Sequence, residues 1–243
     1  MESLPDAPPH RPTILRRLGT LARWPVGIAL TSWRYMWRTT ALHRSEETGD
    51  RTDLPPGIPD DLVDDETQGV GHGEGPLLHR RFTVLIAGSS MSPAELMEDV
   101  RGNINRAVPS EVAYFRKVRG EEGPFRRADE YIVRMPGPWD GPVRVVHEDE
   151  VSFRLATLRG HLEAGQIEFS CACEGDRLRF RIEAWARAGD RLSNLLYSRL
   201  GVSKEIQLNM WVHVCLRVAA MSGGRPAGGV TISTRTLTDL PAA

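Results

Sequence analysis

Hydrophobic and polar residues alternate in several short stretches of the chain, and an alternation with a period of two predicts β-strands. In residues 79–87, for example, Phe82, Val84 and Ile86 fall on one side of the predicted strand. Turn-forming residues separate the later stretches with no helical pattern between them, which predicts an antiparallel sheet. The predicted strands are residues 79–87, 112–119, 130–135, 142–147, 151–158, 166–173 and 178–187.

Two other stretches carry apolar residues at spacings of three and four, which predicts helices. The first covers residues 92–106 and opens with a capping box, Ser92-Pro93-Ala94-Glu95, that has proline at the first helical position. The second is capped by Asp190 or Ser193 and extends to about residue 221. The element order is therefore strand, helix, six strands and a long helix.

This order indicates an α+β fold in which a curved, seven-stranded antiparallel sheet wraps around the long C-terminal helix. One face of the sheet is expected to pack on the helix and the other to face solvent. In the last predicted strand, Leu178, Phe180 and Ile182 fall on the helix side, and the arginines between them fall on the other side. A sheet that curves around one helix leaves space for a mainly apolar cavity, which is the usual character of a ligand site.

Residues 1–45 form a basic N-terminal extension, in which every charged residue from position 11 to position 44 is an arginine. Apolar residues at helical spacing on both sides of Pro25 predict amphipathic helices over residues 13–42. Their apolar side packs on the domain that follows, or it lies in a membrane interface as a peripheral contact. The uncharged run over residues 24–33 is too short to span a bilayer, so no transmembrane helix is expected.

The charge then reverses, because residues 46–76 are acidic and rich in proline and glycine. This composition predicts a linker, or a loop that follows the surface of the main domain, with little order of its own. The glycines and the proline of residues 71–76 mark the boundary. The main domain is then expected over residues 77–222, followed by a C-terminal tail over residues 223–243.

Composition excludes several classes of protein. The chain has 31 lysines and arginines against 32 aspartates and glutamates, a net charge of -1, so binding to nucleic acid is not expected. Three cysteines make an odd number, which argues against a disulfide framework and predicts a location in the reducing cytoplasm. Association with a membrane through residues 13–42 is the alternative. Cys171 and Cys173 share a strand face, but no second pair of cysteines or histidines accompanies them, so we expect neither a metal nor a cofactor.

Three stretches resemble a known family. They are residues 135–143 (MPGPWDGPV), residues 153–169 and residues 184–187 (AWAR), and within the second the motif Thr-Leu-x-Gly-His-x-Glu-x-Gly, residues 157–165, is the most specific. The chain resembles the family filed as domain of unknown function 1990 (DUF1990), within the START/Bet v 1-like (SRPBCC) helix-grip superfamily. Gln166 stands where we expect this family to carry glutamate. The resemblance, over roughly residues 77–222, implies the helix-grip fold and no particular activity.

His161 and Glu163 lie in the loop between two predicted strands, where functional residues often occur. A histidine beside a carboxylate is suited to general acid/base chemistry. Alternatively, His161 caps the turn and Glu163 pairs with an arginine such as Arg159. The first interpretation gives a cyclase- or hydrolase-like enzyme with this pair at the cavity mouth, and the sequence leaves the choice open.

The apolar faces favour a protein that binds a hydrophobic small molecule or lipid between the sheet and the C-terminal helix. A tryptophan in a strand-to-strand loop would add apolar area and one hydrogen-bond donor at the rim. The predicted ligand-binding residues are Tyr131, Trp139, Phe153, His161, Phe169, Phe180 and Trp211.

Overall fold

The structure, a computed structural model, describes residues 42–110, 112–134, 140–189 and 202–238. In the last of these ranges, side chains are described from Leu208 onward. The helices predicted over residues 13–42 lie outside the described residues, apart from Leu42. The start of the long helix and the loop that carries Trp139 lie outside them as well. The described chain is an α+β fold with one large curved sheet.

The sheet has nine strands in the order β1-β9-β2-β8-β7-β6-β5-β4-β3. All neighbours are antiparallel except β1 and β9, which pair in parallel. The strands are β1 Leu42–Thr48, β2 Glu74–Ala87, β3 Tyr114–Arg119, β4 Glu130–Arg134, β5 Asp140–Glu148, β6 Ser152–Thr157, β7 Glu163–Glu174, β8 Arg177–Ala188 and β9 Arg225–Leu237.

The predicted count of seven strands is wrong, because β1 and β9 add two strands at one side of the sheet. The seven predicted strands correspond to β2 through β8. The expected C-terminal tail instead contains β9, which pairs with β2 along its length and buries Val230 and Ile232. Its alternation of apolar and polar residues is regular, but Gly228 and Gly229 interrupt it near the start. β1 lies at the edge with almost every residue exposed, so it carries no apolar alternation to recognise.

Two α-helices are described, α1 over Pro93–Gly102 and α2 over Val202–Met221. The predicted capping box is present, since the backbone N–H of Ser92 donates to a carboxylate oxygen of Glu95 at 2.7 Å and the Ser92 hydroxyl accepts from the Glu95 N–H. The helix ends four residues earlier than predicted. The chain continues as a short 3-10 turn, Ile104–Arg106. Neither described helix has the length and hydropathy needed to cross a bilayer.

Both helices pack on one face of the sheet, which we call the inner face. The apolar side of β2 and that of β8 meet α2 there, as the alternation predicts. Most of the described part of α2 is buried, and Leu208, Trp211, Cys215 and Val218 are among the residues that it adds to the core. The inner face and the two helices therefore share one continuous apolar core.

The opposite, outer face is not open to solvent along the middle of the sheet, contrary to expectation. Residues 49–73, which we call the strap, cross it between β1 and β2. The backbone of the strap accepts hydrogen bonds from Gln166 at Pro56, from Arg144 at Leu62 and from Thr157 at Gln68. Long polar side chains of the sheet can satisfy an irregular backbone in this way, so the polar face that appears solvated in the sequence becomes a buried polar layer.

Candidate functional site

A row of aromatic side chains crosses the inner face from β4 to α2. Phe125 stacks on Tyr131 with 4.2 Å between ring centroids and on Phe153 at 5.1 Å. Phe153 in turn stacks on Phe169 at 4.8 Å. The edge of Trp211 on α2 meets Phe169 at 5.7 Å. Four of the predicted ligand-binding residues therefore form one connected wall, and Phe125, which precedes β4 in an irregular loop, is the member that sequence reasoning missed.

The other three predicted binding residues are placed differently. Phe180 is fully buried on the inner face of β8 and lies directly across from Cys171 on β7. Trp139 lies outside the described residues. His161 is in the turn between β6 and β7, where it contacts the backbone of its own loop. That any of the seven binds a ligand stays a prediction.

Trp211 brings an unused hydrogen-bond donor into the apolar core. Its residue is 7% exposed, and its indole Nε1 has no acceptor among the residues that the structure describes. A buried N–H without an acceptor costs about 1–3 kcal/mol relative to one that is paired. A ligand that offers an acceptor at this position would recover that free energy.

Arg80 adds a positive charge to the same face. It alternates in phase with Phe82, Val84 and Ile86, so its side chain belongs to the inner face, and it is 4% exposed. Its cross-strand neighbours are small, Ala184 on β8 and Thr234 on β9. The alternation of β2, extended one step beyond Phe82, was the signal that could have found it. Of the two neighbours, Thr234 belongs to β9, which the sequence does not predict as a strand.

The turn that holds His161 and Glu163 has the geometry of a capped turn. The backbone N–H of Glu163 donates to Nδ1 of His161 at 2.9 Å, so this nitrogen is engaged within the loop. Burial lowers the pKa of His161, and the nearby charge of Glu163 offsets only part of that effect. An imidazole whose Nδ1 accepts from its own turn is held in place as the turn-capping alternative describes, and Nε2 is the ring nitrogen left for proton transfer.

The surrounding motif has the same structural character. The hydroxyl of Thr157 donates to the carbonyl of Gln68 in the strap at 2.8 Å and accepts from the N–H of Gly165 at 2.9 Å. Gly160 has a φ of +95°, which favours glycine. At Gly165 a Cβ would overlap the carbonyl oxygen of Trp185. The Thr-Leu-x-Gly-His-x-Glu-x-Gly stretch therefore shapes the β6–β7 turn and attaches the strap to it.

A charged cluster joins the strap to the outer face of β2 and β8. Nδ1 of His79 lies 2.9 Å from a carboxylate oxygen of Asp53 in the strap, and its Nε2 lies 3.3 Å from Glu183. The ring of His79 stacks on Trp185 at 5.1 Å. Arg81 donates from Nε to Glu183 at 2.7 Å. His79 therefore bridges two carboxylates beneath the strap. Asp53 is 26 positions away from it in the sequence and Glu183 is 104 positions away, so the sequence does not indicate these contacts.

The electrostatics of this cluster favour ionised carboxylates. Burial alone would raise the pKa of Glu183, but the hydrogen bonds from His79 and Arg81 and the charges of Arg81 and Arg181 outweigh it, and the pKa falls to about 2. Burial also opposes ionisation of Asp53, and the N–H of Asp50 together with His79 lowers its pKa in spite of that. No three histidine, cysteine, aspartate or glutamate side chains in the described ranges converge to hold a metal ion.

Comparison with protein families matches the model of one family, described as domain of unknown function (DUF1990), to residues 46–215. The match therefore covers the strap, strands β2 to β8 and most of α2. A search of curated proteins finds no match.

Solved structures that match this chain are distant in sequence. A hypothetical protein of Helicobacter pylori is 11% identical, with 70% of this chain and 98% of that chain covered and a TM-score of 0.43. A protein of Thermobifida fusca is 13% identical, with 59% and 94% covered and a TM-score of 0.42. The di-domain ARO/CYC protein StfQ from the steffimycin biosynthetic pathway is 10% identical, with 60% and 52% covered and a TM-score of 0.40.

Proposed function

The chain belongs to the DUF1990 family, and from the chemistry of its inner face we propose that it binds a hydrophobic small molecule or lipid between the sheet and α2. Apolar contact area comes from the aromatic row, in which Tyr131, Phe153 and Phe169 belong to the sheet and Trp211 belongs to α2. Apolar walls with few, specific polar groups are the usual composition of small-molecule sites.

The observation that carries the proposal is the indole N–H of Trp211, which is buried against Phe169 without an acceptor among the described residues. Native proteins rarely leave a buried donor unpaired, and such a donor often marks a place where a ligand or an ordered water binds. A carbonyl or hydroxyl oxygen on an otherwise apolar ligand fits that donor.

The test uses the full chain, stripped of bound lipid, and the neutral fluorescent ketone 6-propionyl-2-dimethylaminonaphthalene. We expect saturable binding at one site per chain, with emission that shifts when the ketone accepts a hydrogen bond. Trp211→Phe keeps an aromatic ring and removes the donor, so it should weaken binding by about 2- to 10-fold, the effect of one hydrogen bond of about 0.5–1.5 kcal/mol. Trp185→Phe, on the outer face, is the matched control and should leave binding unchanged.

Two results would contradict the proposal. One is the absence of saturable binding by the folded chain. The other is an equal effect of the two tryptophan substitutions, which would mean that Trp211 has no direct contact with the probe.

The enzyme alternative, which uses His161 and Glu163, receives less support. It requires the His161 ring to exchange a proton with a ligand, and since Nδ1 accepts from the backbone of its own turn, that exchange would have to use Nε2. The membrane alternative concerns residues 13–42, which lie outside the described residues, and it stays a prediction. Co-sedimentation with liposomes, with and without that segment, tests it.

A further inference from the structure

The outward side of α2, the side turned away from the sheet, is buried in one half of the described helix and exposed in the other. Successive residues of an α-helix are about 100° apart, so Asn209, His213 and Ala220 lie about 160–180° around the helix from Trp211. Trp211 points at Phe169 on β7. Asn209 is 9% exposed and His213 is half-buried, whereas Ala220 is exposed. Another part of the chain therefore covers α2 around Asn209 and ends before Ala220.

The described elements that pack most extensively on α2 lie on its other sides. β2, β8 and β9 meet α2 from the sheet, and α1, which also contacts β7, flanks it on the side to which Trp211 points. The edge strand β1 does not close over the helix, because Arg44 and Glu46, which share the inner side of β1 with Leu42, are exposed. The burial of Asn209 therefore points to a segment outside the described residues.

Two segments outside the described residues are long enough to cross a helix about 10 Å wide, and they join the described chain on different sides of α2. Residues 190–201 follow Gly189, whose N–H donates to a carbonyl of the β6–β7 turn at 2.7 Å. Residues 1–41 lead into Leu42, which pairs with Val230 on β9 and packs against the core from the inner face. The N-terminal segment thus enters on the side of α2 that faces away from β7 and α1.

The sequence of residues 13–41 suits a docked position on α2. Leu30, Trp33 and Trp37 recur at spacings of three and four, so a helix there has one apolar side to bury. Its charged residues are all arginine, and both arginine and tryptophan supply N–H donors. The Oδ1 of Asn209 is buried with no donor among the described residues, and a buried acceptor of this kind calls for one.

We propose that residues 13–41 dock as an amphipathic helical segment on the outward side of α2 around Asn209, so that α2 is held between the sheet and the N-terminal segment. The apolar side of the segment is then used within the chain, and one of its donors reaches Asn209. This surface lies on the far side of α2 from the proposed ligand site, so the inference does not depend on that site.

The test measures how well the segment shields a thiol on α2 of the full chain. In a Cys173→Ser background, which removes the exposed native thiol, His213→Cys places a thiol under the proposed cover, and Ala220→Cys places the matched control beyond it. We expect a disulfide-exchange reagent to modify the thiol at position 213 at least about 10-fold more slowly than the thiol at position 220. Equal rates at the two positions overturn the proposal.

Substitutions in the segment identify what provides the shielding. Leu30→Asp together with Trp33→Asp puts charge on the apolar side and should raise the rate at position 213 by about 10-fold or more, with no change at position 220. Thr31→Asp together with Thr39→Asp adds the same charge on the other side of the predicted helix and should leave both rates unchanged. Shielding that survives the first pair of substitutions overturns the proposal, because another segment would then be the cover. Circular dichroism and urea unfolding show whether each variant is folded.

A second measurement needs no substitution and includes the membrane as an outcome. Hydroxyl-radical footprinting of the wild-type chain should oxidise Trp33 and Trp37 at least about 5-fold more slowly than the same residues in a synthetic peptide of residues 13–41. Vesicles of phosphatidylglycerol should leave the oxidation of the chain unchanged. Equal oxidation of chain and peptide overturns the docking. Oxidation of the chain that falls only when vesicles are added overturns it as well, and assigns the segment to the membrane surface.

Discussion

Glu183 is the residue through which the attachment of the strap can be measured as a free energy. It lies on the outer face of β8, its side chain is 13% exposed, and its carboxylate accepts from His79 and Arg81. Glu183→Gln keeps the shape of the side chain and removes its charge. The substitution therefore weakens the interactions with Arg81 and His79 while the packing against the strap is retained.

The magnitude follows from the lowered pKa. The folded state lowers the pKa of Glu183 from an ordinary value of 4.5 to about 2. At about 1.4 kcal/mol for each pKa unit, the folded state favours the ionised carboxyl by about 3 kcal/mol. Because the pKa is lower in the folded state, this stabilisation is fully present above pH 4.5 and is lost as the pH falls from 4.5 towards 2.

Urea unfolding followed by circular dichroism measures both parts of this prediction. Glu183→Gln should lower the free energy of unfolding by about 3 kcal/mol at pH 7, and the difference from wild type should shrink to about 1 kcal/mol at pH 3. Glu174→Gln, which breaks an exposed ion pair with Arg179, is the control and should cost less than about 1 kcal/mol. A loss at Glu183 that is no larger than at Glu174, or that is the same at both pH values, would refute the reasoning.

Two further predictions concern single positions. Gly165→Ala should lower the free energy of unfolding by more than about 2 kcal/mol, because the new Cβ overlaps a backbone carbonyl. At Gly57 a new Cβ meets no atom within 4 Å, so Gly57→Ala should change the free energy of unfolding by less than about 0.5 kcal/mol. Urea unfolding of the two variants measures both values. In the folded chain a disulfide-exchange reagent should react with one thiol, that of exposed Cys173, and with all three in urea. The reason is that burial shields the thiols of Cys171 and Cys215 and raises the pKa of both, that of Cys171 to about 11. Rapid reaction of all three thiols under native conditions would contradict this prediction.

The interior of the fold could be predicted because one physical signal specifies it. Burial on one side of a pleated strand imposes a period of two, and β2 and β8 carry that period over most of their length. β1 lies at the sheet edge with its side chains in solvent, so nothing constrains its sequence to alternate. β9 alternates from Val230 onward. Gly228 and Gly229 precede that run and accompany a register irregularity within a continuous strand.

The candidate site could be predicted only where it is apolar. Phe153 and Phe169 follow from strand alternation, whereas the direction of Trp211 depends on the phase of α2, which the sequence leaves open. The pairing of His79 with Asp53 and Glu183 depends on which strands are neighbours and on where the strap crosses them. Neither fact is local in the sequence, because the three residues belong to segments that meet only in the folded chain.

The polar outer face shows why a charged pattern is weak evidence for solvent exposure. An arginine or glutamine on a strand is polar whether its partner is water or a backbone carbonyl, and Arg144 and Gln166 have strap carbonyls as partners. The family match begins at residue 46 and so includes the strap. The most specific stretch of the resemblance, residues 157–165, lies where the strap bonds to the sheet. The strap is therefore best understood as a layer of the domain rather than as a linker, and the motif as the element that attaches this layer.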